Sequence, residues 1–288
     1  MDINTLQAFT QVAEHGSFSE AAERLYLTQP AVSKRIAQLE EQLGVKLFDR
    51  IGRNISLTEA GRTLLPRARR LLNDATDIKR IVADLNNAEI AGRLTMATSH
   101  HIGLHRLPAP LKIFTQNYPK VELDIRFMDS EAACRAVEIG DMEIAIVTLP
   151  PKPMPQLKME TIWDDPLAFI VAKDHLLGNQ QTINLKTLLE HPAVLPSTGT
   201  YTRAILEKAV REAGLSLHIG MSTNYLETLS MLVTAGLGWS LLPSTLISKE
   251  THALNVKGIN LSRQLGVVTH EKRSLSKAAQ SMISVCKG

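Results

Sequence analysis

Residues 17–48 read SFSEAAERLYLTQPAVSKRIAQLEEQLGVKLF. Two short helical patterns lie in this stretch, parted by a tight polar break, and a start signal precedes each. Ser17 stands three residues before Glu20, the spacing of a capping box in which hydroxyl and carboxylate satisfy each other's backbone donors. Thr28 precedes Gln29-Pro30-Ala31, and proline is tolerated in a first helical turn because no N–H is needed there. Past that start Val32, Ile36, Leu39 and Leu43 recur at helical spacing and predict a buried stripe. The opposite face carries Gln29, Pro30, Ser33, Lys34 and Ala37, all small, polar or basic. A helix with nothing to bury on that face suits a DNA major groove, where its N-terminal residues meet base edges.

The flanking residues extend the pattern. Leu6, Phe9, Val12 and Ala13 predict an amphipathic helix ending near Gly16. Lys46–Arg50 and Asn54–Leu57 read as short strands around Ile51-Gly52-Arg53, a hairpin with Arg50 and Arg53 at its tip. That hairpin is the wing of a winged helix-turn-helix. Residues 28–70 carry nine basic side chains (Lys34, Arg35, Lys46, Arg50, Arg53, Arg62, Arg67, Arg69, Arg70) against four acidic ones (Glu40, Glu41, Asp49, Glu59). This local surplus suits phosphate neutralisation, whereas residues 1–90 together are neutral.

Residues 1–62 resemble the DNA-binding domain of the LysR-type transcriptional regulators. The resemblance rests on Phe9, Ala13, Gly16-Ser17-Phe18, Ala21-Ala22, Leu25, Thr28 through Ser33, Ile36, Leu39-Glu40, Leu43-Gly44, Leu47-Phe48, Arg50 and Leu57-Thr58-Glu59-Ala60-Gly61. Gln29, Pro30, Ala31, Ser33 and Lys34 are then the candidates for base edges. Gln29 fits an adenine edge, and the proline or alanine fits a thymine methyl. Arg50, Arg53 and the hydroxyl of Thr28 suit phosphates, which position the protein without reading sequence. Capping alone also accounts for Thr28, and Ser33 and Lys34 are equally suited to a solvated face.

Leu57, Leu64, Leu71, Ile78 and Leu85 recur every seven residues, with Gly61, Ala68, Ala75 and Val82 as mostly small companions. A sustained heptad with a small-residue row brings two helices close together, and Pro66 should kink this one. The family resemblance implies a dimerising linker helix, so Leu57, Leu64, Ala68, Leu71, Ala75, Ile78, Val82 and Leu85 are its candidate contacts. The alternative is a helix packed on its own domain.

A chain of 288 residues suggests two or three domains. No apolar run approaches a membrane span, and no secretory signal opens the sequence. Two cysteines, Cys134 and Cys286, do not make a disulfide framework, so a reducing cytoplasm is the expected compartment. From Gly92 onward strand and helix patterns alternate: Arg93–Thr98, Pro108–Tyr118, Val121–Phe127, Glu131–Gly140 and Glu143–Thr148. This alternation predicts an α/β domain with a parallel sheet and helices on both faces. After the proline-rich break at 150–155, further strands are expected at Leu167–Ala172, Ala193–Leu195, Leu217–Met221 and Gln264–Thr269. Ala235-Gly236-Leu237-Gly238-Trp239 predicts a sharp exit from a helix into a buried strand.

That order resembles the family's effector domain, two α/β lobes built like a periplasmic binding protein. The expected organisation is a winged helix-turn-helix over 1–57, a linker helix over 58–88 and an effector domain over 89–288. Lobe one takes 92–162 and 265–288, and lobe two takes 163–264. The chain would cross near Trp163 and return near Gln264.

In open α/β sheets ligands bind beyond the carboxyl ends of strands, where loops meet helix N-termini. Those ends carry Ser99, His100 and His101, then Asp129 and Ser130, then Thr148. In the second lobe they carry Pro196, Ser197, Thr198, Thr200, Thr202, Thr223 and Asn224. These positions resemble the segments lining the family's effector cleft, and hydroxyls with free N–H groups favour an anion. Ordinary N-capping would use the same residues.

His101 and His105 have helical i, i+4 spacing, but no cysteine or acidic residue is near them in sequence, so no metal site is expected without distant ligands. An imidazole facing an acidic effector and a merely solvated pair are the other readings. Cys134 and Cys286 have no basic setting that would lower a thiol pKa. No nucleophile elbow, phosphate loop, H-E-x-x-H or paired-cysteine zinc motif occurs, so neither an enzyme nor a cofactor is expected. The sequence therefore predicts a dimeric or tetrameric regulator that binds promoter DNA and a small-molecule effector. A solute-capture protein with a vestigial DNA-binding domain is the rival.

Overall fold

The computed structural model describes residues 1–51, 54–86 and 89–288. The chain divides into two compact units, 1–89 with 139–141, and 90–138 with 142–288. Among the described residues no helix is long and apolar enough to cross a membrane.

The first unit contains α1 (Ile3–His15), α2 (Phe18–Arg24), α3 (Gln29–Leu43), strands β1 (Phe48–Ile51) and β2 (Asn54–Leu57), and the long α4 (Glu59–Asn86). Asp2 caps α1 by accepting from Thr5 N at 2.8 Å. Only half of the expected capping box forms at α2. Ser17 Oγ accepts from Glu20 N at 3.2 Å, but the Glu20 carboxylate lies 3.7 Å from His15 Nδ1. Leu6, Phe9 and Val12 pack with Phe18, Ala21, Val32, Ile36, Leu39, Leu47 and Phe48 into one core. Leu43 does not join it; the last turn of α3 overshoots the core and leaves that side chain exposed. The wing strands pair antiparallel, with Phe48 opposite Leu57 and Ile51 opposite Asn54.

The start of α4 is tied to the segment just before β1. Thr58 Oγ1 donates to Lys46 O at 2.7 Å and accepts from Gly61 N at 3.0 Å. A Cβ at residue 61 would lie 2.3 Å from Leu47 O, so the close approach requires glycine. Three expected dimer contacts belong instead to this unit's own core. Leu57 ends β2 and packs inward, Leu64 does the same from α4, and Ala68 has no accessible surface at all. The sevenfold spacing therefore serves two faces in succession, the near turns packing at home and the far turns exposing Leu71, Ile78 and Val82.

The second unit runs β3 (Gly92–Thr98), α5 (His100–His105), α6 (Pro108–Asn117), β4 (Val121–Phe127), α7 (Ser130–Glu138), β5 (Ile144–Thr148), β6 (Leu157–Ala172), α8 (Leu185–Leu189), β7 (Ala193–Leu195), α9 (Tyr201–Glu212), β8 (Ile219–Ser222), α10 (Leu226–Thr234), β9 (Ser240–Pro243), β10 (Thr251–Leu254), β11 (Leu261–His270) and α11 (Lys277–Lys287). The main sheet has the order β10-β6-β11-β5-β3-β4, with β9 also paired to β6. Strands β4, β3 and β5 are parallel, but β11 is antiparallel to both β5 and β6, so the sheet is mixed rather than wholly parallel.

Strand β6 is far longer than its apolar part, Leu167–Ala172. Asp164-Asp165-Pro166 interrupts the hydrophobic pattern, yet pairing with β11 carries the strand straight through. A bulge between Leu265 and Gly266 faces Trp163 and Thr161. One core gathers Leu94, Met96, Ile144, Ile146, Val267 and Met282. Another gathers Phe169, Val171, Leu188, Leu206, Trp239 and Leu241. Trp239 Nε1 donates to His191 O at 3.0 Å. At Gly238 φ is 151° and a Cβ would sit 2.3 Å from Pro192 O, so the turn into β9 needs glycine.

Candidate functional site

Two groups of residues stand out, one in each unit. On α3, Gln29, Pro30, Lys34 and Ala37 are exposed while Val32, Ile36 and Leu39 are fully buried, so the helix is two-faced as its pattern demands. Gln29 Nε2 donates to Ser33 Oγ at 3.1 Å, and Ala31 and Ser33 are half-buried. Thr28 precedes the helix in extended conformation, but its side chain makes no capping bond. Capping therefore does not explain Thr28, which is exposed. Arg53 lies outside the described residues, as do the side chains of Arg50 and Leu85.

From the buried side of α3, Glu40 accepts from Leu47 N at 2.8 Å, Phe48 N at 3.4 Å and Lys46 Nζ at 2.8 Å. Burial pushes its pKa up, but the Lys46 and backbone bonds outweigh this and hold the carboxyl below its ordinary value. Sequence reading treated Glu40 only as a family position and a negative charge.

In the second unit the carboxyl ends of β3, β4, β5 and β7 converge on a cleft. Of the residues expected there, it is lined by Ser99, His100, His101, Asp129, Ser130, Thr148, Pro196, Thr200, Thr202 and Asn224. Ser197, Thr198 and Thr223 do not line it. Their segment is used internally: Ser197 N donates to Asn224 Oδ1 at 2.9 Å, and Thr223 N to Leu195 O at 3.3 Å. Asn224 Nδ2 donates onward to Asp129 Oδ2 at 2.7 Å, and Tyr201 N donates to Glu131 Oε1. Burial pushes the Glu131 carboxyl up. Ser130 Oγ accepts from Thr148 N at 3.2 Å.

Sequence reading missed four lining residues, Glu131, Tyr201, Leu226 and the one buried cation of the lining, Arg263. It reaches the cleft from β11 and is 4% exposed. Its Nε meets Asp165 Oδ2 at 2.7 Å and its Nη1 meets Thr202 Oγ1 at 3.0 Å. Arg106 Nη2 lies 3.2 Å from the other oxygen of Asp165, so two guanidinium groups share one carboxylate. Arg263 Nη2 and His101 Nε2 are buried without a partner. No local signal pointed to Arg263, because strand β11 enters the cleft only through its pairing with β5 and β6.

His101 Nδ1 and His105 Nε2 each lie 3.1 Å from Glu227 Oε1. The acidic partner that the local sequence lacked therefore arrives from α10. Burial, and then the charge of Arg263, lower the pKa of His101. Burial raises that of Glu227, but a backbone N–H and the His101 bond bring it below its ordinary value. Both cysteines are buried, and burial pushes each thiol up to about 11, which keeps it in the unreactive protonated form.

Two family models match the chain: the bacterial regulatory helix-turn-helix protein of the lysR family over residues 3–62, and the LysR substrate binding domain over 87–288. The transcriptional regulator CbbR of Rhodospirillum rubrum is 32% identical over 295 residues, covering 99% of this chain and 95% of its own. An HTH-type transcriptional regulator in the ibpB-leuC intergenic region of Azotobacter vinelandii is 67% identical over 108 residues, 38% of this chain and 74% of that protein. A full-length OxyR variant from Pseudomonas aeruginosa shares the fold, with a TM-score of 0.78 at 21% identity over 100% of this chain and 95% of that one. The chain belongs to the LysR-type transcriptional regulators, with a helix-turn-helix DNA-binding domain and a LysR substrate-binding domain.

Proposed function

We propose that this regulator is controlled by a small anionic effector whose acidic group sits on Arg263 in the cleft. The supporting observation is the buried guanidinium with one unpartnered nitrogen. A charged donor buried without a partner is costly, and an acceptor group on a ligand relieves that cost. The acids on the same lining are already engaged, Asp129 by Asn224 and Glu131 by Tyr201. With Nδ1–H of His101 directed at Glu227, its Nε2 offers a lone pair, so the same ligand gains from carrying a hydroxyl or amine.

In this reading Gln29, Pro30, Ala31, Ser33 and Lys34 meet base edges, while Thr28, Arg50 and Arg53 hold phosphates. Leu71, Ala75, Ile78 and Val82 join two copies into a homodimer, and dimers pair into a tetramer. Effector binding changes lobe closure and with it the spacing of the paired winged helices, through its differential affinity for the two arrangements. The chain acts in the cytoplasm by binding and not by catalysis.

Thermal unfolding of the full chain with small carboxylates and their neutral amides tests the effector class. Stabilisation by an acid and not by its amide supports the reading. Amides that stabilise as well as the acids overturn it.

A further inference from the structure

His101 and His105 stand one turn apart on α5, packed with one lobe's core, and Glu227 stands in the first turn of α10, packed with the other's. His101 Nδ1 and His105 Nε2 each lie 3.1 Å from the same oxygen, Glu227 Oε1. The three candidate donor atoms fall within 4.8 Å of one another. Metal–ligand bonds of about 2.0–2.2 Å place neighbouring donors of a tetrahedral or octahedral site roughly 2.9–3.5 Å apart, and both N···O separations fall in that interval.

We propose that His101, His105 and Glu227 bind one divalent transition-metal ion, of the zinc, nickel or copper type, at the mouth of the cleft. Two imidazoles and a carboxylate suit these ions, whereas magnesium and calcium require oxygen ligands throughout. In each neutral imidazole the proton facing Glu227 moves to the other ring nitrogen, which frees Nδ1 of His101 and Nε2 of His105 for the ion. His105 and Glu227 are 37% and 35% exposed, which gives an ion access and leaves positions for water. The nearby Arg263 pairs with Asp165 at 2.7 Å, a carboxylate that it shares with Arg106, so its charge is countered only in part. Because the ligands come from both lobes, the ion favours whichever lobe arrangement keeps the three donors together. This site is separate from the anion position proposed at Arg263, and either can fail without the other.

The experiment titrates the chelator-stripped full chain with Zn²⁺ alone against a chromophoric competitor, alongside His105→Ala, Glu227→Gln and the control His191→Ala. The two site substitutions fall on partly exposed side chains, and circular dichroism verifies that each variant is folded. One ion per chain in the parent and in His191→Ala, weakened by about a hundredfold or more in the two site variants, is expected. A zinc-dependent rise in the unfolding temperature should likewise appear in the parent and vanish in His105→Ala. Equal binding by all four proteins, or no binding by the parent at micromolar zinc, would overturn the proposal.

Discussion

The carboxylate of Glu40 takes backbone N–H groups from Leu47 and Phe48 on one oxygen while Lys46 holds the other. These bonds connect the inner face of α3 to the strand that starts the wing. Replacing Glu40 by Gln should cost about 1–3 kcal/mol near neutral pH, measured by urea unfolding. Its folded pKa lies below the ordinary 4.5. The stability from that shift is therefore present above the unfolded pKa and is lost as pH falls through the folded one. The gap between the parent and Glu40→Gln should close in acid; a gap constant to pH 3 would contradict the assignment. Gly61 makes a second point at this scale. Its small size was legible and was assigned to a heptad, but its cause is the Leu47 carbonyl. Gly61→Ala should lower stability by about 1–3 kcal/mol through forced displacement of backbone, read from the same urea curves. Arg263 was not legible, because its importance comes from β-pairing with residues about a hundred positions away.

Among the elements, α4 separates what periodicity can and cannot reveal. A heptad shows that a face is apolar without showing what covers it. Ala68 and Leu64 are covered by α1 and its neighbours, whereas Leu71, Ile78 and Val82 remain exposed. Ile78→Glu should abolish self-association in sedimentation velocity while leaving the urea midpoint of the winged unit unchanged. Ala68→Leu should do the reverse, costing about 1–3 kcal/mol of stability by overpacking a filled core. The helix-turn-helix was the most legible part of the chain because its signals are local: caps, a proline and a 3.6-residue stripe. The length of β6 and the mixed sheet were not, since both arise from long-range pairing with β11. In the cleft, the positions that follow strands were legible by rule, and ten of them do line it. Ser197, Thr198 and Thr223 lie in the right loops, but Ser197 and Thr223 turn their backbone N–H groups inward and Thr198 is exposed.

At the scale of the whole molecule, the exposed face of α3 carries few charges, with Lys34 as its exposed cation. One copy should therefore bind DNA weakly, and specificity should rise steeply when two copies act on one duplex. Residues 3–62 and 87–288 each match their own family model, one a DNA-binding domain and the other a substrate-binding domain. The most direct test is selection from a random duplex library by the purified full chain, at one fixed salt concentration, beside Lys34→Ala and Ile78→Glu. The predicted result is enrichment of a dyad-symmetric site by the parent, an altered base preference for Lys34→Ala, and loss of the dyad for Ile78→Glu. Enrichment of no sequence by the parent, or an identical dyad site from all three proteins, would contradict the account.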